Sequence, residues 1–423
     1  MSKVISIAED DPVVWTLLLS AVFIALLQHQ LIIPSTSYFD EIHYLPAARA
    51  LLEGTGILNQ EHPPLGKLIL ATGIALIGDT PMGWRAFPNV AGMVTLYAGM
   101  RAVWYASYDR TATIAFGVLA ITGFTLVVQS RIAMLDIFMA AFVAVACWQF
   151  AAAWAEPECG RRRLAACGVA IGLAIASKWN AAVLAPLPGL VFLIARAKAG
   201  RRRLLFSRRG APVPGITLVE AALWLGVVPL AVYALTFLPL YLVAPQDMAG
   251  GLIAQHIHML RLQGSVIEPH TYMSVWWQWM LNLRGIWYLY ENIDGAQRGV
   301  LFIGNPVTML LGLPALVWCA WQGLRGRVAE GSVALLYVLS LGIWIVAAKP
   351  VQFYYHYFLP GLFLLVALAL VLSASWQRGH RWFGYLTFAT SFGMFAYFYP
   401  VLTAAPLSGP RAFERWAWLS GWV

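Results

Sequence analysis

Long apolar runs, separated by short polar or charged segments, follow one another along most of the chain. About eleven of them approach the ~20 residues that an α-helix needs to cross the hydrocarbon core of a bilayer. The fifth is short, and it either re-enters the membrane or extends beyond these limits. The predicted spans cover about 12–33, 86–104, 111–128, 132–154, 164–177, 179–196, 216–240, 306–322, 331–348, 353–374 and 382–400. The pattern predicts an all-α polytopic membrane protein, with residues 1–423 forming one transmembrane domain.

Two long segments interrupt this series, an early loop over 34–85 and a later loop over about 241–304. The early loop contains an apolar stretch, Leu68–Ile77. At roughly 1.5 Å per residue this stretch is too short to cross ~30 Å of hydrocarbon. We therefore predict an interfacial helix there. No small-residue cleavage pattern follows the first apolar run, Pro12–Ile33, so we predict a retained span.

Composition agrees with a protein dissolved in lipid. The 423 residues are 60% hydrophobic and 11% charged, with a mean hydropathy of +0.70, whereas soluble domains average about 45–50% apolar and about 25% charged. The net charge of +9 comes largely from short blocks that follow apolar runs, Arg161–Arg163 and Arg201–Arg203 with Arg208–Arg209. Such blocks are typical of cytoplasmic loops. They do not form the basic, aromatic-rich face that nucleic-acid binding requires, and no nucleic-acid partner is expected.

Placing both arginine blocks in the cytoplasm fixes the predicted topology. The N-terminus is then cytoplasmic, both long loops and the C-terminus are external, and Arg325–Arg327 and Arg378–Arg381 fall in the cytoplasm, in agreement with the charge rule. The cysteines lie toward the cytoplasmic half without metal-ligand spacing, and no disulfides are expected. Polar residues at membrane depth gather at the external turns. This clustering predicts one polar cavity that opens outward.

The early loop carries two candidate groups. Asp40 and Glu41 are adjacent carboxylates, and either could act as a general base, although for the pair alone capping of a helix start is favoured. His62 and Lys67 flank a rigid Pro-Pro turn and could donate to a phosphate. An ordinary proline loop, with the lysine extending to the interface, is equally compatible.

Further candidates lie where predicted spans meet the external side. Arg85 starts the second span, Arg131 and Asp136 bracket the start of the fourth, and Lys178 occupies the next external turn. An acid inside a span is unfavourable unless it has a purpose, which favours function for Asp136. The later loop adds His270, and the tenth span begins near Tyr355 and His356. An interfacial aromatic belt is the simplest alternative for these last residues.

Taken in order, these motifs resemble the protein O-mannosyltransferases, membrane glycosyltransferases of the GT-C class. The resemblance covers about residues 38 to 360. It is carried by Phe39-Asp40-Glu41, His62-Pro63-Pro64-Leu65-Gly66-Lys67, Trp84-Arg85, Ser130-Arg131 with Leu135-Asp136, Gly172–Asn180, Pro269–Trp279, Leu301–Pro306 and Tyr354–Pro360.

The resemblance implies a GT-C fold with about eleven spans and a donor in which a sugar, usually mannose, is linked to a polyprenyl or dolichyl phosphate. It implies transfer to a Ser or Thr hydroxyl, with Asp40 as base, Glu41 in support and Arg85 as an essential arginine. One carboxylate base and a phosphate leaving group suit a single displacement with inversion. The cationic groups would stabilise the leaving phosphate. A bacterial inner-membrane enzyme with a periplasmic or external site is expected, because about 60 residues in the later loop cannot hold the β-trefoil repeats of eukaryotic members.

Several alternatives stay open. The familiar Arg-Pro after the tryptophans reads Arg284-Gly285 here, so local geometry could differ. A lipid or glycan acceptor, as in the related lipid A-modifying enzymes, is compatible with the same motifs. No metal ligand set is evident, yet Asp40 and Glu41 could together hold a divalent cation. A transporter is the main non-enzyme alternative, but it predicts polar groups at the bilayer midplane, reachable from both sides.

Overall fold

A computed structural model describes residues 10–199, 204–265, 267–347 and 349–423. The predicted arginine block 201–203, the N-terminus before residue 10 and the last residue of the predicted ninth span lie outside the described residues. The helices are α1 Val13–Gln28, α2 Glu41–Glu53, α3 Leu65–Ile77, α4 Pro81–Ser107, α5 Arg110–Thr122, α6 Thr125–Ser130, α7 Leu135–Ala155, α8 Gly160–Ser177, α9 Leu187–Ala199, α10 Leu218–Val243, α11 Gly251–Gln263, α12 Trp276–Met280, α13 Pro306–Leu324, α14 Val328–Val346, α15 Phe358–Gln377 and α16 Arg381–Leu402.

The predicted membrane character is confirmed. Within the described residues, six helical segments are long and apolar enough to cross a bilayer, and each of the eleven predicted segments contains a helix. The six are Leu135–Ala155, Trp179–Ala199, Leu218–Val243, Pro306–Leu324, Val328–Val346 and Tyr354–Gln377.

Local chemistry explains where helix bounds differ from those predicted. The side chain of Thr80 accepts from the backbone N–H of Gly83 and Pro81 occupies the first turn, so α4 begins earlier than expected. The predicted span over 111–128 is broken instead, because α5 ends at Thr122 and Phe124 has a φ of 71°. A β-carbon in that left-handed conformation interrupts a helix. The short fifth span extends back to Gly160.

Small residues let the central helices approach closely. α7 packs against both α4 and α8. A β-carbon on Gly92 of α4 would lie 1.9 Å from Ser130 Oγ, and one on Gly168 of α8 would lie 1.9 Å from the carbonyl oxygen of Trp224 in α10. Contacts of this kind replace the hydrophobic driving force that is lost when lipid is the solvent.

The prediction of an all-α fold is wrong at one place. The later loop contains an antiparallel hairpin, β1 Ile286–Ile293 and β2 Ala296–Phe302. Asp294 and Gly295 connect the strands with φ values of 51° and 73°, as a tight two-residue hairpin turn requires. The Asp-Gly pair between two aromatic and aliphatic runs was a usable signal for this hairpin.

The hairpin is fastened to both neighbouring parts of the chain. Asp294 at its tip accepts from the backbone N–H of Ser35 at 2.9 Å, in the early loop. On the other side, the Leu407 N–H donates to Gln297 O at 2.8 Å, which holds the C-terminal segment against β2. A helix is present where one was predicted, α3 Leu65–Ile77, and α2 accompanies it in the same loop. Its interfacial position stays a prediction.

Candidate active site

Asp40 stands at the start of α2 but does not cap it. Its side chain makes no capping hydrogen bond, and the Tyr44 hydroxyl lies 3.4 Å from Oδ2. The capping interpretation of Asp40 is therefore wrong. The preceding residue, Phe39, has a φ of 50°, and its ring stacks on Tyr288 of β1 with centroids 4.0 Å apart. A left-handed conformation at a non-glycine residue indicates that packing fixes the backbone just before the carboxylate.

The surroundings of Asp40 hold charges from three other parts of the chain. Burial raises the pKa of Asp40 from 3.8 to about 6, the nearby cations Lys178 and Lys349 oppose that rise, and the carboxylate of Asp136 adds to it. The polar groups that the sequence analysis placed at separate turns thus meet in one neighbourhood. A carboxylate with this pKa is well suited to accept a proton near neutral pH.

Glu41 is engaged elsewhere, although it is adjacent to Asp40. Arg85 Nε and Nη2 each donate to its carboxylate at 2.9 Å, and both side chains are fully buried. The backbone N–H of Ala133 donates to the same carboxylate at 2.9 Å. The remaining donors of Arg85 reach the carbonyl oxygens of Leu31, Pro34 and Thr36. All five guanidinium N–H groups therefore have protein acceptors. This arrangement does not fit the predicted contact of Arg85 with a donor phosphate.

Two more predicted phosphate ligands also bind backbone. Arg131 donates to the carbonyl oxygens of Leu27, His29 and Gln30 at 2.6 to 3.1 Å, which closes the C-terminal end of α1. Lys67 donates to the carbonyls of Leu58, Asn59 and His62 at 3.4, 2.6 and 3.0 Å. Three acceptors match the three donors of an ammonium group. Both side chains are buried, Arg131 against the end of α1 and Lys67 within the early loop, which disagrees with a direct phosphate contact.

Asp136 and Lys178 form the central ion pair of the site. Lys178 Nζ lies 2.6 Å from Asp136 Oδ2, and both side chains are buried. Lys178 also lies 4.8 Å from the centre of the Tyr355 ring, a cation–π contact. The other carboxylate oxygen of Asp136 is buried without a hydrogen-bond partner among the described residues. An unpaired buried oxygen beside a lysine indicates space for a polar ligand.

The three predicted histidines occupy different positions. The His62 ring packs edge-on against Tyr44, and burial with neighbouring lysines lowers its pKa well below 6.5. His356 is buried against Trp344 and accepts from the Phe353 N–H at 3.0 Å, while its Nε2 has no partner among the described residues. His270 is exposed and lies at the rim, with its ring against Phe353.

Sequence reasoning missed two residues of this site. Lys349 lies within electrostatic reach of Asp40, Asp136 and Lys178, and the described residues give it no ion-pair partner. Its place in the polar turn before the tenth span was the available signal. Tyr288 interacts electrostatically with Asp40 and Asp136. It was missed because the hairpin that carries it was not predicted.

The residues do not fit a divalent cation. The described part of the chain holds no cluster of three or more His, Cys, Asp or Glu side chains that could ligate a metal. The suggested pair of Asp40 and Glu41 fails for a particular reason, because both oxygens of Glu41 already accept from Arg85. We derive no metal-dependent step.

An apolar groove of about 320 Å³ begins directly below the ion pair. Residues about one helical turn from the polar groups line its upper end. Ala140 lies four residues after Asp136, Ala181 three residues after Lys178 and Leu359 three residues after His356. On α7 the lining continues to Trp154, about 21 Å farther at 1.5 Å per residue. The groove therefore approaches the polar site to within one helical turn.

The chain thus combines a helical membrane domain, two structured loops at one end and a polar site above an apolar groove. A family model described as dolichyl-phosphate-mannose-protein mannosyltransferase matches residues 61–224. A polyprenol-phosphate-mannose–protein mannosyltransferase of Mycolicibacterium smegmatis is 25% identical, over 92% of this chain and 88% of the relative. Over most of its length the chain is therefore similar to protein O-mannosyltransferases.

Solved structures support the fold independently. The Saccharomyces cerevisiae protein O-mannosyltransferase Pmt1–Pmt2 complex bound to the sugar donor matches with a TM-score of 0.83 at 14% identity, over 97% of this chain and 92% of the matched chain. ArnT from Cupriavidus metallidurans bound to undecaprenyl phosphate matches with a TM-score of 0.56 at 17% identity, over 85% of this chain and 60% of that one. The predicted GT-C fold is confirmed.

Proposed function

We propose that the chain transfers mannose from a polyprenyl-phosphate carrier to a Ser or Thr hydroxyl of a protein. The named activity of the curated relatives supports this reaction. The observation that carries the proposal is the position of Asp40, a carboxylate that caps no helix and stands with the Asp136–Lys178 pair. In this proposal Asp40 is the general base, Lys178 is the cation that binds the leaving phosphate, and the nearby apolar groove binds the carrier chain.

In this mechanism the acceptor hydroxyl attacks the anomeric carbon while Asp40 takes its proton. The new carbon–oxygen bond forms as the bond to the carrier phosphate breaks, and the electron pair of that bond leaves with the phosphate. Lys178 and Lys349 stabilise the developing charge. With one base and a phosphate leaving group, attack from the opposite face inverts the anomeric centre, and no second nucleophile is needed.

Other residues position these groups. Asp136 orients Lys178, and the Tyr355 ring holds the ammonium from another side. His356 Nδ1 lies 3.0 Å from both the nitrogen and the carbonyl oxygen of Phe353, and its buried Nε2 has no partner among the described residues, which leaves Nε2 for a polar group of the donor. We assign His62 and His356 to the donor side of the pocket, and the exposed His270 to its rim.

The apolar groove accommodates the first part of the carrier chain. Its lining is mostly aliphatic and aromatic and includes side chains from α4, α7, α8, α14 and α15. An isoprenoid chain gains free energy by leaving water for such a surface. Because the groove starts one turn below Lys178, a chain lying in it places its phosphate beside that ammonium.

The sidedness of the site follows from charge. Arg163 pairs with Glu156 just beyond the C-terminal end of α7, whereas Asp136 lies in its first turn. Arginine-rich loops stay in the cytoplasm. This supports a topology of about eleven crossings, with the site on the external or periplasmic face of a bacterial inner membrane.

The test is transfer by purified protein in nanodiscs from polyprenyl-phosphate [³H]mannose to a Ser/Thr-rich peptide. Asp40→Asn should abolish transfer without a change in the thermal midpoint. Glu53→Gln is the matched control, since Glu53 is an exposed acid at the far end of α2. Full turnover by Asp40→Asn would remove Asp40 as the base. Transfer to lipid but not to peptide would refute the protein acceptor.

A further inference from the structure

Gln129 is a fully buried residue with an incomplete set of hydrogen bonds. Its Nε2 donates to the Tyr288 hydroxyl at 3.1 Å, while its Oε1 is buried without a partner among the described residues. Turning the amide over would only exchange the two atoms, so either orientation leaves one buried polar group unpaired. An unsatisfied buried amide is unfavourable, which indicates that a polar group completes it when substrate is bound.

Tyr288 presents the complementary half of this arrangement. Its oxygen accepts from Gln129, and no described residue accepts its hydroxyl proton. Two other rings stack on the Tyr288 ring, Phe39 at 4.0 Å and Phe302 at 5.0 Å between centroids, both nearly parallel to it. This packing holds the ring and its phenolic oxygen in place. An acceptor and a donor therefore stand side by side.

The pair faces the reacting end of the site. Phe39, which stacks on Tyr288, immediately precedes Asp40, and Tyr288 lies within electrostatic reach of Asp40, Asp136 and Tyr355. The proposed function puts the transferred sugar between the base and the cations. The pair therefore lies beside the sugar and away from the carrier chain in its groove.

We propose that Gln129 and Tyr288 bind one hydroxyl of the transferred hexose and thereby select the sugar. A sugar hydroxyl donates one hydrogen bond and accepts others, so it can donate to Gln129 Oε1 and accept from the Tyr288 hydroxyl at once. A sugar without that hydroxyl leaves both groups unpaired, which is the strongest form of discrimination available to a binding site. This inference rests on the proposed sugar transfer and extends it to the sugar-binding contacts.

The test is a cycle between enzyme variants and donor analogues. Wild type, Gln129→Leu and Tyr288→Phe are assayed with polyprenyl-phosphate mannose and with the four donors that lack the hydroxyl at C2, C3, C4 or C6. We expect kcat/KM of the wild type to fall roughly 10- to 100-fold for one of these analogues. Each variant should lose a similar factor with intact mannose and should no longer distinguish that one analogue.

Controls separate this inference from misfolding and from the proposed function. Gln149→Leu changes a glutamine in the C-terminal half of α7, where it accepts from Arg163, and should keep the wild-type discrimination. Binding of sugar-free polyprenyl phosphate should be equal in all variants. If the variants keep the full discrimination of the wild type, or if the wild type discriminates against no analogue, the inference is wrong while the transfer stands. If the wild type moves no mannose, the proposed function fails first.

Discussion

Arg85 and Glu41 form a fully buried, two-bonded ion pair that joins the first turn of α4 to the first turn of α2. The guanidinium also closes the turns at Leu31, Pro34 and Thr36. The segment that leads to Asp40 is thus fixed by one arginine. An essential arginine in this place can act through the position of the base without touching the donor.

Replacement of this arginine should therefore affect stability first. Arg85→Lys supplies three donors where five are used, and breaking a buried ion pair destabilises by about 3–5 kcal/mol. We expect a clear fall in the thermal midpoint in detergent, together with loss of transfer. Arg49→Lys, in the exposed pair with Asp79, should change the midpoint little. A stable Arg85→Lys protein that fails only in donor binding would instead make Arg85 a phosphate ligand.

Transfer should decline on the acid side of pH 6. Burial raises the pKa of Asp40 from 3.8 to about 6, and the active form is the deprotonated carboxylate. As pH falls through about 6, kcat/KM should drop tenfold per unit once the carboxyl is protonated. Lys178 lowers this pKa, so the residual activity of Lys178→Met should show its acid limb at higher pH. If the acid limb of Lys178→Met lay at the same pH as that of the wild type, a group other than Asp40 would be responsible for it.

Transfer should also decline on the alkaline side, for a different reason. Burial and the neighbouring Lys178 lower the pKa of Lys349 from 10.5 to about 8, and only the ammonium form binds the phosphate. Activity should therefore fall as pH rises through about 8. Lys349→Arg keeps its charge at that pH and should remove this limb. Lys198→Met, a lysine in the last turn of α9, is the matched control. An alkaline limb that persists in Lys349→Arg would exclude this lysine as its origin.

The fold was largely predictable because lipid imposes one dominant rule on the sequence. Apolar runs of sufficient length and the placement of arginines determine which segments are helical and which ends share a side. The helix break after Thr122 was not predicted because the apolar pattern continues across it. The break comes from the positive φ of Phe124, which the pattern does not reveal. The hairpin was not predicted because the later loop of about 60 residues gives no membrane signal, although Asp294-Gly295 marks the turn of the hairpin.

The site was only partly predictable, and the reason lies in hydrogen bonding. Sequence places a cation near the external face but does not reveal what it donates to. Lys67, Arg85 and Arg131 looked equivalent to Lys178, yet their donors meet backbone carbonyls or Glu41 in the folded chain. These partners come from turns whose geometry exists only after the early loop has folded. Lys349 was passed over because the aromatic residues after it gave the stronger pattern.

The groove gives a test that depends on the length of the carrier. Ala140 lies on the same face of α7 as Asp136, one turn away, and lines the upper end of the groove. Ala140→Phe should fill that end, so it should raise KM for a long-chain polyprenyl-phosphate mannose by roughly tenfold or more, since each buried methylene contributes about 0.8 kcal/mol. A donor with a chain of one or two isoprene units reaches less of the groove and should lose less.

Leu310→Phe is the control for this substitution, because Leu310 is exposed on α13 and its side chain lies outside the groove. It should leave both donors unaffected. The ratio of KM values for the long and short donors is the decisive measurement, since general damage to the fold changes both equally. A ratio unchanged by Ala140→Phe would mean that the carrier chain lies elsewhere, and the link between the groove and the phosphate beside Lys178 would be lost.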